Sequence, residues 1–240
     1  MMVRIGNFIF HYRNGLFPLV YVLVFFKWHP LFPNDYVAAV LGFAVALSGQ
    51  ILRAITIGLD YIRRGGKNRQ VYANHLVTGG IFAHSRNPLY LGNFITIVGV
   101  GIAANSLLFL SIAIPFFIFA YAAIIAAEEN FLRSKFGKDF DDYCVRVNRI
   151  FPDFTNLRQT LGGMEFSWKR LIAKEYGSTF IWLMAIFGAT LKNVWLDYGY
   201  NSNRPIIWSL YFFLLMVCLG YVAARYSKKK GFLQEDARIS

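Results

Sequence analysis

The chain is predicted to fold as an all-α bundle of five or six membrane-spanning helices. Three observations predict this. Hydrophobic residues make up 56% of the 240 residues and charged residues 16%, against about 25% charged in soluble domains. The apolar residues are gathered into long uncharged runs rather than spread at amphipathic spacing. The Lys and Arg residues fall between those runs, as they do in loops that face an anionic cytoplasmic leaflet.

A spanning helix needs about 20 mostly apolar residues. Leu16–Trp28 is the shortest candidate and contains Pro18; Phe8–Phe10 before it would lengthen it. Tyr36–Ile57 fits a span, with Arg53 near one end, where a long cationic side chain can reach the interface. Leu89–Ala104 and Leu107–Ala127 follow, split only by Asn105-Ser106, a break short enough for a tight helical hairpin. Pro115 in the second of these is acceptable where neighbouring helices compensate. Ser178–Leu191 and Ile206–Ala224 complete the set, preceded by an amphipathic stretch, Phe166–Lys174. Three segments divide the chain: 1–74 with the first helices and a basic loop, 75–152 with the motifs below, and 153–240 with a linker and two further helices.

The charge balance is strongly basic, with 25 Lys and Arg against 13 Asp and Glu. Because the basic residues punctuate apolar runs, they argue for membrane lipid as the partner and against nucleic acid. Tyr61–His75 carries Arg63, Arg64, Lys67 and Arg69. Glu128–Lys174 and the tail after Arg225 are also rich in Lys and Arg. These are expected on the cytoplasmic side with both termini, and Lys27–Asp35 and Lys192–Arg204 on the other. The inner membrane or endoplasmic reticulum would suit such a protein. Two cysteines, Cys144 and Cys218, make no disulfide framework, and no secretory signal with a small-residue cleavage site is present.

Three clusters carry candidate chemistry. The first runs Leu76-Val77-Thr78-Gly79-Gly80 to Arg86-Asn87-Pro88-Leu89-Tyr90-Leu91-Gly92. Its glycines permit a tight turn, and Pro88 suits the first turn of a helix whose N-terminus favours an anionic group. The second is Glu128-Glu129, expected at the end of an apolar helix. Carboxylates at a bilayer boundary and a helix C-terminus are costly without a partner, so a cationic ligand group is one reading and a plain interfacial marker the other. The third is Phe136-Gly137 to Phe151-Pro152, in which Gly137 is expected to cap a helix and Arg146 could orient a carboxylate or touch lipid phosphate.

Together these clusters resemble the isoprenylcysteine carboxyl methyltransferase and phospholipid methyltransferase superfamily. Its pattern runs Leu-Val-Thr-x-Gly-x-Tyr, Arg-His-Pro-x-Tyr-x-Gly, a helical hairpin, Glu-Glu, and Phe-Gly-x-x-Tyr-x-x-Tyr with a closing proline. The match covers about His75–Pro152. The resemblance implies S-adenosylmethionine in a pocket facing the cytoplasm, and a lipophilic acceptor such as an isoprenylcysteine carboxylate or another lipid entering from the bilayer. It implies cofactor contacts from His75, Leu76, Val77, Phe82, Arg86, Asn87, Tyr90 and Glu128. It implies that Glu129 holds the cofactor's amino group and that Arg146 faces the acceptor. Asn87 stands where the pattern has His and loses its titration; Phe82 and Phe140 stand where it has Tyr.

Methyl transfer needs in-line positioning and exclusion of water more than acid–base machinery. A thiol or amine acceptor must also lose a proton, for which Glu128, Glu129 and His84 are the available bases. Two other functions fit a basic helix bundle. A membrane sterol reductase would need a site for the NADPH 2′-phosphate and a larger bundle. A lipid-binding or transport protein would call for ionisable groups at mid-membrane or broken helices in matched halves.

Overall fold

The computed structural model describes residues 1–59, 73 and 75–233. The predicted basic loop from Arg63 to Arg69 lies outside these. All regular secondary structure among the described residues is helical, with no strand. Eight α-helices follow in order: α1 Met2–Tyr21, α2 Asp35–Leu59, α3 Pro88–Ala103, α4 Leu107–Phe136, α5 Lys138–Arg146, α6 Leu157–Gly162, α7 Trp168–Asn193 and α8 Arg204–Lys229. Five helical rods are long and apolar enough to cross a membrane, and α3 is a shorter apolar helix beside them. This fits a multi-pass membrane protein.

The first rod differs from expectation. It begins at Met2 and continues through a 3-10 turn to Phe25, rather than starting at Leu16. Pro18 lies inside it: the ring removes one backbone donor, and neighbouring helices make the break tolerable. The longer rod puts Arg13 midway along a helix.

Helices α2 and α3 pack closely because small residues face each other. Any side chain at Gly42, Gly49 or Gly99 would collide with the backbone of the facing helix, the arrangement by which apolar helices gain van der Waals contact in a lipid environment. At 16 residues, α3 is about 24 Å long, shorter than a hydrocarbon core of about 30 Å. The turn before it, Gly80–Ala83, is packed inside protein, with Ile81 and Phe82 buried.

The α3–α4 hairpin is held from outside. Asn105 adopts a left-handed conformation, φ 51°. Its side-chain oxygen accepts from the Leu31 and Phe32 amides at 2.8 and 2.9 Å, and its amide donates to Asp35 at 2.8 Å. Asp35 also accepts from Lys27 at 2.8 Å. Burial pulls the Lys27 pKa down, but hydrogen bonds and charge from Asp197 and Asp35 outweigh it and hold the ammonium above its usual range.

Two helices run further than predicted. α4 extends to Phe136 and α7 starts at Trp168, so the amphipathic stretch from Phe166 and the predicted span from Ser178 form one helix. Gly137 ends α4 at φ 53° and ψ −123°, and its N–H bonds the Arg133 carbonyl at 2.9 Å. That region of backbone space suits glycine alone. The core lies among α1, α3, α4 and α7, where Phe10, Val100, Phe117, Ile124, Trp182 and Ile186 are buried together. α8 packs on α7 and is largely exposed along its apolar face.

Candidate functional site

The segment from Phe82 to Asn87 is knitted directly to the segment after α5. The Tyr143 hydroxyl donates to the Phe82 carbonyl at 2.8 Å, and the Ser85 hydroxyl to the Ile150 carbonyl at 2.8 Å. The Arg86 amide donates to Asn148 O at 2.9 Å, and the Asn87 side chain to Arg149 O at 2.8 Å. The first and third sequence clusters therefore make one substructure. His84 belongs to it as well. Its ring nitrogens lie 2.6 Å from Asp153 O and 2.9 Å from the Thr160 hydroxyl. The Asp153 carboxyl stands below its usual range because the Thr155 amide donates to it.

Above this platform is a cavity of about 600 Å³ bounded by α1, α2, α3, α4 and α7. One end is polar, with Arg86, Asn87, Tyr90 and Glu128. The other is aromatic, with Phe17, Tyr21, Phe117, Tyr121 and Trp182. Phe82 lines it too. The Tyr90 hydroxyl donates to Glu128 Oε1 at 3.0 Å, which joins the first cluster to the second.

Of the residues the resemblance implicates, Phe82, Arg86, Asn87, Tyr90 and Glu128 share this cavity; His75, Leu76, Val77, Glu129 and Arg146 are not among those lining it. His75 is exposed. Leu76 packs against the buried group Ala73, Leu132, Phe140 and Tyr143. Val77 is half-buried. Arg146 is exposed and donates to the Asp142 carbonyl of its own helix at 3.2 Å. Glu129 is gripped by Arg149 through two bonds, 3.0 and 2.7 Å, and lies 3.4 Å from Arg86. Arg86 also touches the Cys144 sulfur. Among the described residues its buried Nε has no partner.

The helix-end argument for the two glutamates does not hold. α4 continues past them to Phe136, so they lie in its body and feel little of its C-terminal dipole. Their partners instead come from packing.

Arg53 also departs from expectation. It turns inward rather than toward the interface. Its Nε and Nη2 meet Glu175 at 2.8 and 2.5 Å, and its Nη1 donates to Asn93 at 2.5 Å and Leu89 O at 3.3 Å. Gln50 donates to the same carboxylate at 3.1 Å and accepts from the Trp182 indole at 3.0 Å. The pair is almost dry, with side-chain exposures of 11% and 4%. Sequence reasoning missed this group, together with Arg13 and Lys174, which also line the cavity. The available signal was Arg53, a cation inside the otherwise apolar run of α2; Glu175, next to Lys174 in a basic stretch, carried none.

Residues 37–139 match the family model described as phospholipid methyltransferase. The chain is 28% identical over 163 residues to the nickel-cobalt-cadmium resistance protein NccN of Alcaligenes xylosoxydans xylosoxydans, covering 64% of this chain and 71% of that protein. It is 29% identical over 157 residues to the cobalt-zinc-cadmium resistance protein CzcN of Cupriavidus metallidurans, covering 62% and 67%. No solved structure matches.

Proposed function

We propose, from the match of residues 37–139 to the phospholipid methyltransferase family model, that this protein transfers the methyl group of S-adenosylmethionine to a lipophilic acceptor at the cytoplasmic membrane face. The observation that supports it most is the meeting of Arg86, Asn87, Tyr90 and Glu128 in one cavity that also carries the aromatic side chains of Phe17, Tyr21, Phe117, Tyr121 and Trp182.

These residues fit the cofactor. It carries a carboxylate, an ammonium and a sulfonium beside a flat purine. The Arg86 guanidinium, with its buried unpartnered Nε, suits the carboxylate. Glu128 suits a cation. Phe82 offers an apolar face for the purine. Glu129 plays a supporting part: through its bonds with Arg149 and its proximity to Arg86 it keeps the Arg86 side chain in place.

When bound, the cofactor supplies an electrophilic methyl carbon. The protein's own contribution is to hold and dry the reactants. The Phe82–Asn87 platform fixes the cofactor end, and the aromatic wall excludes water from the path of attack. The names of the two relatives speak of resistance to metals and leave the chemistry open.

Calorimetry on the purified protein in detergent tests this function. S-adenosylmethionine or its demethylated product should bind with micromolar affinity, equivalent to about −8 kcal/mol. Heat on adding NADPH, with none from either sulfur compound, would replace the methyltransferase with a reductase.

A further inference from the structure

We infer that Arg13 of α1 and Lys174 of α7 form a seat for an anionic acceptor, so that the methyl group goes to a nucleophile that arrives deprotonated. The inference deepens the proposed methyl transfer and rests on it.

Four cationic side chains line the cavity: Arg13, Arg53, Arg86 and Lys174. Arg53 is neutralised by Glu175, and Arg86 lies beside Glu129. Arg13 and Lys174 form no ion pair among the described residues. Arg13 lies midway along the Met2–Phe25 rod with its guanidinium 4.0 Å from the Phe10 ring centre. An arginine inside an apolar helix and facing a cavity is costly unless something anionic visits it. The cofactor brings a further net positive charge, so it does not neutralise this surplus.

Arg13 and Lys174 stand on two different walls of the cavity. α1 packs chiefly on α4, whereas α7 packs on α2 and α8. The two meet where α7 contacts the Val22–Phe25 turn. Beside Lys174 there is room: a side chain added at Gly177, which lines the cavity, would meet nothing within 4 Å. A head group held there could leave its apolar body between the two helices.

The acceptor's electron pair forms a bond to the methyl carbon as the carbon–sulfur bond breaks and its electrons return to sulfur. A carboxylate or thiolate completes this without releasing a proton. A protonated amine must first lose one. Glu128 already accepts the Tyr90 hydroxyl, Glu129 is held by Arg149, and His84 is bonded to Asp153 and Thr160 away from the cavity. An anionic acceptor needs none of them.

The test uses chain-matched probes on the full-length protein in non-ionic detergent: hexadecanoate, hexadecanethiol, hexadecylamine and the short soluble anion thioglycolate. Binding is measured with and without saturating S-adenosylhomocysteine. Hexadecanoate should bind at least tenfold more tightly than hexadecylamine. The double variant Arg13→Gln/Lys174→Gln should lose that preference while keeping its affinity for S-adenosylhomocysteine. Arg13→Lys, which keeps the charge, should retain most of it and guards against a misfolded double variant. Tight binding of the long anion alone identifies a membrane acceptor, and equal binding of thioglycolate a soluble one; both support the seat. Equal or tighter binding of the amine, or a double variant that binds hexadecanoate like the parent, overturns it. Failure of S-adenosylhomocysteine to bind removes the methyltransferase function instead, and the anion preference can still be read without it.

Discussion

Replacing Glu175 by glutamine removes the charge of one partner in the driest ion pair of the described residues while keeping its shape. Arg53 would then hold a full positive charge at 11% side-chain exposure, with only the neutral oxygens of Asn93, Leu89 and the new amide around it. Breaking a buried pair from one side costs about 3–5 kcal/mol. The retained hydrogen-bonding amide favours the lower figure, about 3 kcal/mol. At roughly 2–4 °C per kcal/mol for a chain of this size, the thermal midpoint should fall by about 6–12 °C. The assay is thermal unfolding in detergent, followed by intrinsic tryptophan fluorescence, to which Trp182, bonded to the same network through Gln50, contributes. A double replacement, Arg53→Met with Glu175→Leu, removes both charges and should recover most of the loss, because apolar substitutes for a buried pair are often neutral. A Glu175→Gln midpoint within about 2 °C of the parent, or a double variant worse than the single one, would refute the claim that this pair ties α7 to α2 and α3.

Glu128→Gln removes the charge assigned to the cofactor's cationic group; a hydrogen bond to a charged group is worth about 1.5–3 kcal/mol, so S-adenosylhomocysteine affinity measured by calorimetry should fall roughly ten- to a hundredfold. Arg146→Lys should leave that affinity unchanged, since the side chain is exposed on α5. Gly49→Val would drive a branched side chain into the backbone of α3 and should cost about 1–3 kcal/mol or more by overpacking, read as a lower thermal midpoint. In a background with Cys144 and Cys218 replaced, single cysteines at Asp153 and Asn201 should react with an impermeant thiol reagent from opposite faces of the membrane; labelling from one face alone would contradict the loop-charge orientation.

Much of the helix bundle was legible without coordinates, because an apolar run long enough to cross a bilayer has few other fates. The hairpin at Asn105-Ser106, the start of α3 at Pro88 and the cap at Gly137 were each readable from local chemistry. Helix ends were less so. α4 and α7 continue into polar sequence because a helix, once nucleated, extends at little cost when its exposed side meets water. Hydropathy marks the apolar part of a helix and is silent about the rest.

The motif clusters marked the platform under the cavity, and five of the implicated side chains line that cavity. What the one-dimensional order left open was direction. Glu128 and Glu129 are neighbours in the chain, yet about 100° apart around α4. One faces Tyr90 and the cavity, and the other faces Arg149 on the segment after α5. Arg53 reads as an interfacial cation until α7 places Glu175 against it from 122 positions away. Arg13 precedes the predicted span from Leu16, but lies midway along the rod from Met2 to Phe25 that the structure forms. Composition and local propensity decide that helices form and roughly where. The rotation and partner of each charged side chain follow only from how those helices pack, because an ion inside an apolar bundle is tolerated where the fold supplies its counter-charge or a ligand does.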